Sequence, residues 1–407
     1  MLFLMTYIHR QIEPLLKRLA GQFPALAVTG PRQCGKSTLL KELFGATHRY
    51  RTFDDPLLRE QAIADPKLFL DNSGERVILD EIQYVPQLLS YVKIRIDEER
   101  GKTGRFIFTG SQQFSMIKNL GDSLAGRIAL LELLPFHVEE KQAAPKLKLS
   151  APKDAFLHAC LTGSYPDLAL KPALDRKTWY GSYIQTYLER DIRTLYNIGA
   201  LREFQRFMQM LASQTGQILN LTSFSRDLGV SVNTLKKWLS ILEASRMVYL
   251  LPPYHKNFGK RITKAPKAYF LDCGLACYLT GIETEAHVFN GPLAGALFET
   301  YCIQETVKTF LFQGQRPRLY YARTYNNLEI DLLIEGKGLE LFPCEIKLTK
   351  TPRPDMAAPI QRFKKLFPKL KIGQGRILCL TEEEFLLTHD SKTQPLRGYW
   401  EWLRAVS

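Results

Sequence analysis

The chain carries Gly30-Pro31-Arg32-Gln33-Cys34-Gly35-Lys36-Ser37-Thr38, in which two glycines bracket four residues and a lysine and a hydroxyl follow at once. These residue types at this spacing make a phosphate cradle. The glycines let the backbone curl so that successive N–H groups point inward at phosphate oxygens. Lys36 would reach the β- and γ-phosphates as a point charge, and the Ser37 hydroxyl is a Mg²⁺ ligand. The apolar run Leu26-Ala27-Val28 reads as a buried strand entering the loop. A helical pattern from about 36 to 43 leaves it, with its positive N-terminal end turned to the phosphates. The expectation is an ATP site, lined by Gly30 through Thr38, with Mg²⁺ as its cation.

A second set of acids suits that site. Arg76-Val-Ile-Leu-Asp80-Glu81 is an apolar strand ending in two carboxylates. Asp80 would hold the Mg²⁺, and Glu81 would orient and help deprotonate an attacking water. The next apolar run, Arg105 to Gly110, ends in Thr109-Gly110-Ser111, which would place Thr109 or Ser111 near the γ-phosphate or the water. Arg127, after Ala125-Gly126, is a candidate for stabilising transition-state charge, in the same subunit or a neighbouring one.

A third set lies near the other end. Glu299 falls in an amphipathic helical pattern at about 293–312, Asp331 opens an apolar strand, and Glu345-Ile346-Lys347 closes a hairpin. Side chains repeat every two residues along a strand, so Glu345 and Lys347 share a face, and Asp331 can meet them from the paired strand. Three converging carboxylates would repel unless a divalent cation sat between them. No Ser-His-Asp or Cys-His arrangement stands out among the seven histidines.

The elements that would position these residues can be read coarsely. Residues 20–140 alternate strands (25–29, 48–53, 76–80, 105–110 and 127–133) with helices, and the apolar strand runs suggest a parallel sheet covered on both faces. Asp55-Pro56 reads as an N-cap followed by proline at the first helical position. Residues 141–153, with two prolines and four lysines, are the linker candidate. Residues 221–228, a turn at Gly229, and 232–246 read as a helix-turn-helix, with Asn233, Thr234, Lys236 and Lys237 at the outward start of the second helix. Lys256, Lys260, Arg261, Lys264 and Lys267 would follow as a basic wing gripping phosphates. The last region has a helix, strands near 318–323, 328–335 and 340–347, a basic helix near 354–367 and a strand near 375–380. The expected domains are 1–140, 141–215, 216–290 and 291–407.

The bulk numbers fit that organisation. A chain of 407 residues has room for two or three cores. The net charge of +14 hints at a polyanionic partner. No apolar run approaches the ~20 residues that a membrane span needs, and the apolar start at 1–5 is too short for a signal segment. Seven scattered cysteines suit a reducing cytoplasm rather than a disulfide framework. Cys273 and Cys277 would share a helix face, without a second pair or a nearby histidine to complete a zinc site.

Taken together, Thr29-Gly-Pro-Arg-Gln-Cys-Gly-Lys-Ser-Thr38, Leu79-Asp-Glu-Ile-Gln83, Thr109-Gly-Ser111, Leu124-Ala-Gly-Arg127, Gly163-Ser-Tyr-Pro166 and Tyr187-Leu-Glu-Arg-Asp191 resemble the prokaryotic AAA+-type ATPases that carry a C-terminal domain of uncharacterised function. The family pattern often has Val where Cys34 stands and Thr where Ser37 stands. The resemblance covers nearly the whole chain. It implies an α/β chain: a P-loop parallel-sheet ATPase domain, a helical and winged-helix module, and an α/β domain like the restriction endonucleases. The C-terminal residues resemble the PD-(D/E)xK nuclease pattern, in which Asp331 and Glu345 would bind Mg²⁺, Glu299 would complete the shell and Lys347 would position water. The expected partner is nucleic acid, DNA more than RNA, in the cytoplasm and with no membrane. ATPases of this class often assemble as rings, so a homo-oligomer is a further expectation. The alternative is a nucleotide-gated switch or docking protein whose C-terminal domain binds without cutting.

Overall fold

The computed structural model describes residues 7–110, 124–144, 147–187, 201–254, 265–324 and 328–407. The chain divides into two compact units. One comprises Met1–Phe136 with Ala244–Arg246 and Leu311–Gly314, and the other comprises the rest.

The first unit is built on five strands: β1 (Ala25–Thr29), β2 (Arg49–Thr52), β3 (Val77–Asp80), β4 (Phe106–Gly110) and β5 (Ile128–Glu132). They pair in the order β2-β3-β4-β1-β5, with every pairing parallel. β1, β3 and β4 are buried along their whole length. That burial is why each reads as a continuous apolar run rather than an alternation. One core holds Ala25 and Ala27 of β1, Val77 and Leu79 of β3, and Phe106 and Phe108 of β4 against Phe69, Leu70, Leu89, Val92 and Ile96 from the helices. The helix Pro56–Ala64 starts as its sequence dictates: Asp55 accepts from Leu57 N, and Pro56 stands at the first helical position. In a parallel sheet, all strand C-termini face one edge. The turns after β1 and β3 therefore meet there, bringing Gly30–Lys36 and Asp80–Glu81 together.

In the second unit, the helices Leu221–Leu228 and Val232–Ala244 are joined through Gly229. An antiparallel pair follows, β6 (Val248–Leu251) with β7 (Lys267–Phe270). Most of the expected basic wing, residues 255–264, lies outside the described residues. Lys267 does not belong to such a wing: it is in β7, with its side chain buried. The front of the expected linker is also structured, because Lys141 lies in the helix Val138–Gln142 and is fully buried.

The remaining strands are β8 (Leu319–Arg323), β9 (Glu329–Glu335), β10 (Leu341–Ile346), β11 (Gly375–Cys379), β12 (Leu386–Thr388) and β13 (Ser391–Pro395), in the order β12-β13-β11-β10-β9-β8. β8, β9 and β10 form an antiparallel meander, and β10-β11 and β11-β13 are parallel. The helix Ala294–Phe312 runs in this unit with Thr300, Gln304, Glu305, Thr306 and Lys308 all buried. Those polar groups are satisfied internally. Glu305 accepts from Lys308 Nζ at 2.6 Å and from Val138 N at 2.7 Å. All seven cysteines are free thiols and all are buried. Among the described residues, no helix is long and apolar enough to cross a membrane.

Candidate functional site

At the end of β1 the chain turns at Gly30, whose φ of +143° few side chains adopt. A Cβ on Gly30 would overlap the carbonyl of Leu133, so the turn depends on glycine for space as well as conformation. Cys34 is buried beneath the loop and donates Sγ to Leu133 O at 3.2 Å. Gly35 caps the helix Lys36–Phe44. Pro31 is buried with Cys34, whereas Gln33 and Thr38 face solvent. Lys36 folds back over the loop and donates Nζ to Gly30 O at 3.0 Å and to Pro31 O at 2.8 Å. An ammonium resting on carbonyls at the mouth of an amide-lined loop is placed to meet a phosphate.

The first and second sequence motifs meet at Asp80. Ser37 Oγ donates to Asp80 Oδ2 at 2.9 Å, and Thr109 Oγ1 donates to Asp80 Oδ1 at 2.7 Å. Tyr50 OH also donates to Oδ2. Glu81 follows with φ +56°, an unusual value for a non-glycine residue, and its carboxylate accepts from Gln83 Nε2. Such backbone outliers concentrate at functional sites. A serine hydroxyl and a carboxylate in contact are hard oxygen donors, and they fit Mg²⁺.

Of the two further candidates, Ser111 lies outside the described residues. Arg127 is not brought to the cluster. It immediately precedes β5, and its carbonyl accepts from Ala25 N, at the edge of the sheet where β1 begins rather than where the loop departs. Its guanidinium grips Asp97, Nε to Oδ1 at 2.8 Å and Nη2 to Oδ2 at 3.0 Å, and holds that carboxyl below its usual pKa. The reason is topological: a residue leading into a parallel strand is a strand length from the edge that carries the site.

Two residues of this site had no sequence signal. Arg10 donates Nη1 to Cys34 O at 3.0 Å and Nη2 to Leu134 O at 2.7 Å, and its guanidinium lies over the Phe136 ring. Tyr50 sits on β2, whose sequence Arg-Tyr-Arg-Thr has no apolar run.

In the C-terminal set the structure brings Asp331, Glu345 and Lys347 together. Lys347 Nζ lies between Asp331 Oδ2 at 2.9 Å and Glu345 Oε2 at 2.7 Å, and Asp331 Oδ2 also accepts from Ile346 N at 2.9 Å. Glu299 accepts from Lys267 Nζ at 3.2 Å and from Tyr269 OH, and Lys267 also pairs with Glu329 at 2.7 Å. Lysine ammoniums from β7 and from the residue after β10 thus pair with these acids. Among the described residues, no group of three or more His, Cys, Asp or Glu side chains is arranged to hold a metal ion. Burial, reinforced by Asp331, pushes Glu345 up to about 8. Burial also raises Glu299, against the pull of Lys267. Glu345 Oε1 is buried without a hydrogen-bond partner. Cys273 and Cys277 are buried thiols on the helix Cys273–Thr280, and the Cys160 thiol lies beside both.

Against known proteins, residues 22–141 match the family described as AAA domain. Residues 153–286 and 294–399 match two domains of unknown function, DUF8612 and DUF4143. The chain is 31% identical over 340 residues to the uncharacterized protein Rv2008c of Mycobacterium tuberculosis, covering 83% of this chain and 73% of that one. The uncharacterized protein Mb2031c of Mycobacterium bovis gives the same figures. Among solved structures, the Walker-type ATPase PABY2304 of Pyrococcus abyssi is similar with a TM-score of 0.46 and 15% identity, over 67% of this chain and 96% of that one. The STAND protein PH0952 from Pyrococcus horikoshii is similar with a TM-score of 0.30 and 14% identity, over 76% of this chain and 46% of that one.

Proposed function

We propose, for a chain that belongs to the family of the mycobacterial proteins Rv2008c and Mb2031c, that it binds ATP with Mg²⁺, hydrolyses it, and uses the cycle to act on nucleic acid. The observation that carries the nucleotide reading is the contact of Ser37 with Asp80 at 2.9 Å across 43 residues. It joins the phosphate loop to the acidic strand end inside an AAA-type P-loop fold. Lys36 would leave the carbonyls of Gly30 and Pro31 for the β- and γ-phosphates. Ser37 and Asp80 would hold Mg²⁺, which when bound offsets the negative charge of the phosphates. Thr109 fixes the Asp80 carboxylate. Glu81, next along the chain, would take the proton of the attacking water.

The test is phosphate release by the purified chain. Lys36→Ala should abolish nucleotide binding and turnover together. Glu81→Gln should keep binding and lower turnover by roughly 10²- to 10⁴-fold. Unchanged turnover in Lys36→Ala would overturn the assignment.

The nucleic-acid part rests on the net charge of +14 and on the helix Val232–Ala244, which exposes Asn233, Lys236 and Lys237 at its start. A helix, a glycine turn, a second helix and an antiparallel hairpin follow the order of a winged helix, and that end of the second helix is the one that meets a groove. Stimulation of phosphate release by DNA above that by RNA is the expected result.

A second reading is favoured by one observation: Lys347 bridges Asp331 and Glu345, while Lys267 holds Glu299. Charge-paired in this way, the C-terminal group suits a surface that binds without cutting, and no cleavage step follows from its geometry. Mg²⁺-dependent cleavage of DNA or RNA that disappears in Asp331→Ala would reject this second reading. Salt-sensitive binding without cleavage would support it.

A further inference from the structure

Asp80 receives three hydroxyl donors, and they are not equivalent. Thr109 is fully buried on the central strand β4 and gives to Oδ1. Ser37 and Tyr50 both give to Oδ2. Tyr50 stands on β2, at the edge of the sheet, and is only half-buried. Its register partner is Ile78, so its long side chain reaches two residues forward to the carboxylate. The ring is held from the other side by Lys41, whose Nζ lies 3.9 Å from its centroid. Lys41 is four residues beyond Ser37 on the helix Lys36–Phe44, one turn along the same face. A lysine over a tyrosine ring is an attractive arrangement that fixes the ring in place.

A carboxylate has about four lone-pair sites, and a divalent cation needs some of them. Ser37 can keep its hydrogen on Asp80 while offering its oxygen elsewhere, and Thr109 has no room to leave. Tyr50 is the donor that competes, and its half-buried side chain has a path to solvent.

Resting on the ATP-and-Mg²⁺ reading above, we infer that Tyr50 is a further residue of the metal site, a phenol that occupies Asp80 in the cation-free state and must withdraw when the site is loaded. Lys41 sets how readily it withdraws. The phenol therefore weakens cation loading, and removing its hydroxyl strengthens it.

The experiment measures the affinity of a fluorescent ATP analogue with EDTA and with Mg²⁺, on the full chain. The ratio of the two affinities reports the cation's contribution. In Tyr50→Phe the EDTA affinity should stay as in the wild type and the ratio should rise on the order of tenfold, the worth of one hydrogen bond to a charged group. Lys41→Met keeps the phenol but removes the ammonium above it, and should raise the ratio by a smaller factor. A ratio that is unchanged or lower in both variants overturns the inference. A Lys36→Ala variant that binds the analogue as well as the wild type would instead sink the underlying ATP reading.

Discussion

The guanidinium of Arg10 donates to the backbone carbonyl of Cys34, 24 residues away, at 3.0 Å. The segment before the first helix is therefore tied to the floor of the phosphate loop. Arg10→Ala leaves the Cys34 and Leu134 carbonyls without this donor inside a packed site. We expect a loss of about 2–4 kcal/mol in denaturant unfolding, with weaker nucleotide binding. Arg10→Lys should recover only part of the loss, because a single ammonium nitrogen lacks the planar, pre-organised fork of two nitrogens that reaches both carbonyls and stacks on the Phe136 ring. Unchanged stability in Arg10→Ala would show that the clamp contributes nothing.

Arg127 and Asp97 should behave as a pair at the far edge of the sheet. Arg127→Ala and Asp97→Ala are expected to lower stability little and to the same extent, since both groups are solvent-accessible. Turnover by dilute chain should not change in either variant. A drop confined to Arg127→Ala, appearing only as concentration rises, would give that residue a role in a neighbouring subunit.

Gly163 has φ +92°, and a Cβ there would overlap the hydroxyl of Tyr180. That hydroxyl donates to Asp272, which also accepts from Ser164 N at 2.7 Å and from Leu275 N at 2.8 Å. Gly163→Ala should cost about 2–4 kcal/mol, from a strained backbone and a displaced hydroxyl. Adding Tyr180→Phe should relieve the steric part and leave the backbone part. Urea titration of the two variants separates them.

Lys141 supplies the pH dependence. Burial lowers its pKa to about 8, against an opposing pull from Glu305, and its Nζ reaches Ser164 Oγ at 3.4 Å. The unfolded chain would hold this proton up to about 10.5, so between about 8 and 10.5 the unfolded state binds more protons. Stability attributable to Lys141 should therefore rise with pH across that window, by at most about 3 kcal/mol, and be constant below it. Lys141→Met should remove the rise. Equal slopes in both proteins between pH 8 and 10 would refute it.

The first sheet could be read almost strand for strand because a buried parallel strand has to be apolar along its length. β1 at Ala25–Thr29 and β3 at Val77–Asp80 show this directly. The loop could be read because phosphate binding restricts residue types so tightly. Tyr50 could not: the strand at 48–53 could be read, but nothing in Arg-Tyr-Arg-Thr says that the tyrosine reaches Asp80 on the neighbouring strand. β13 was missed for a different reason: Ser391, Thr393 and Gln394 are polar yet buried, with their backbone satisfied by the sheet. At the C-terminal acids, sequence reasoning identified residues that do gather, but not what neutralises them. Lys267 and Tyr269 arrive from β7, and only tertiary packing determines that they face Glu299.

Seven buried thiols, of which Cys160 lies beside Cys273 and Cys277, amount to a set of built-in clocks. A buried thiol reacts with an alkylating reagent only when its surroundings open, and at Cys160, Cys273, Cys302, Cys344 and Cys379 burial also disfavours the reactive thiolate. Cys34 would time opening under the phosphate loop, Cys160 and Cys273 the helical layer, and Cys344 and Cys379 the C-terminal sheet. Mass-resolved labelling of the native chain would thus rank its regions by local opening without a single substitution. It would also show which of them nucleotide slows.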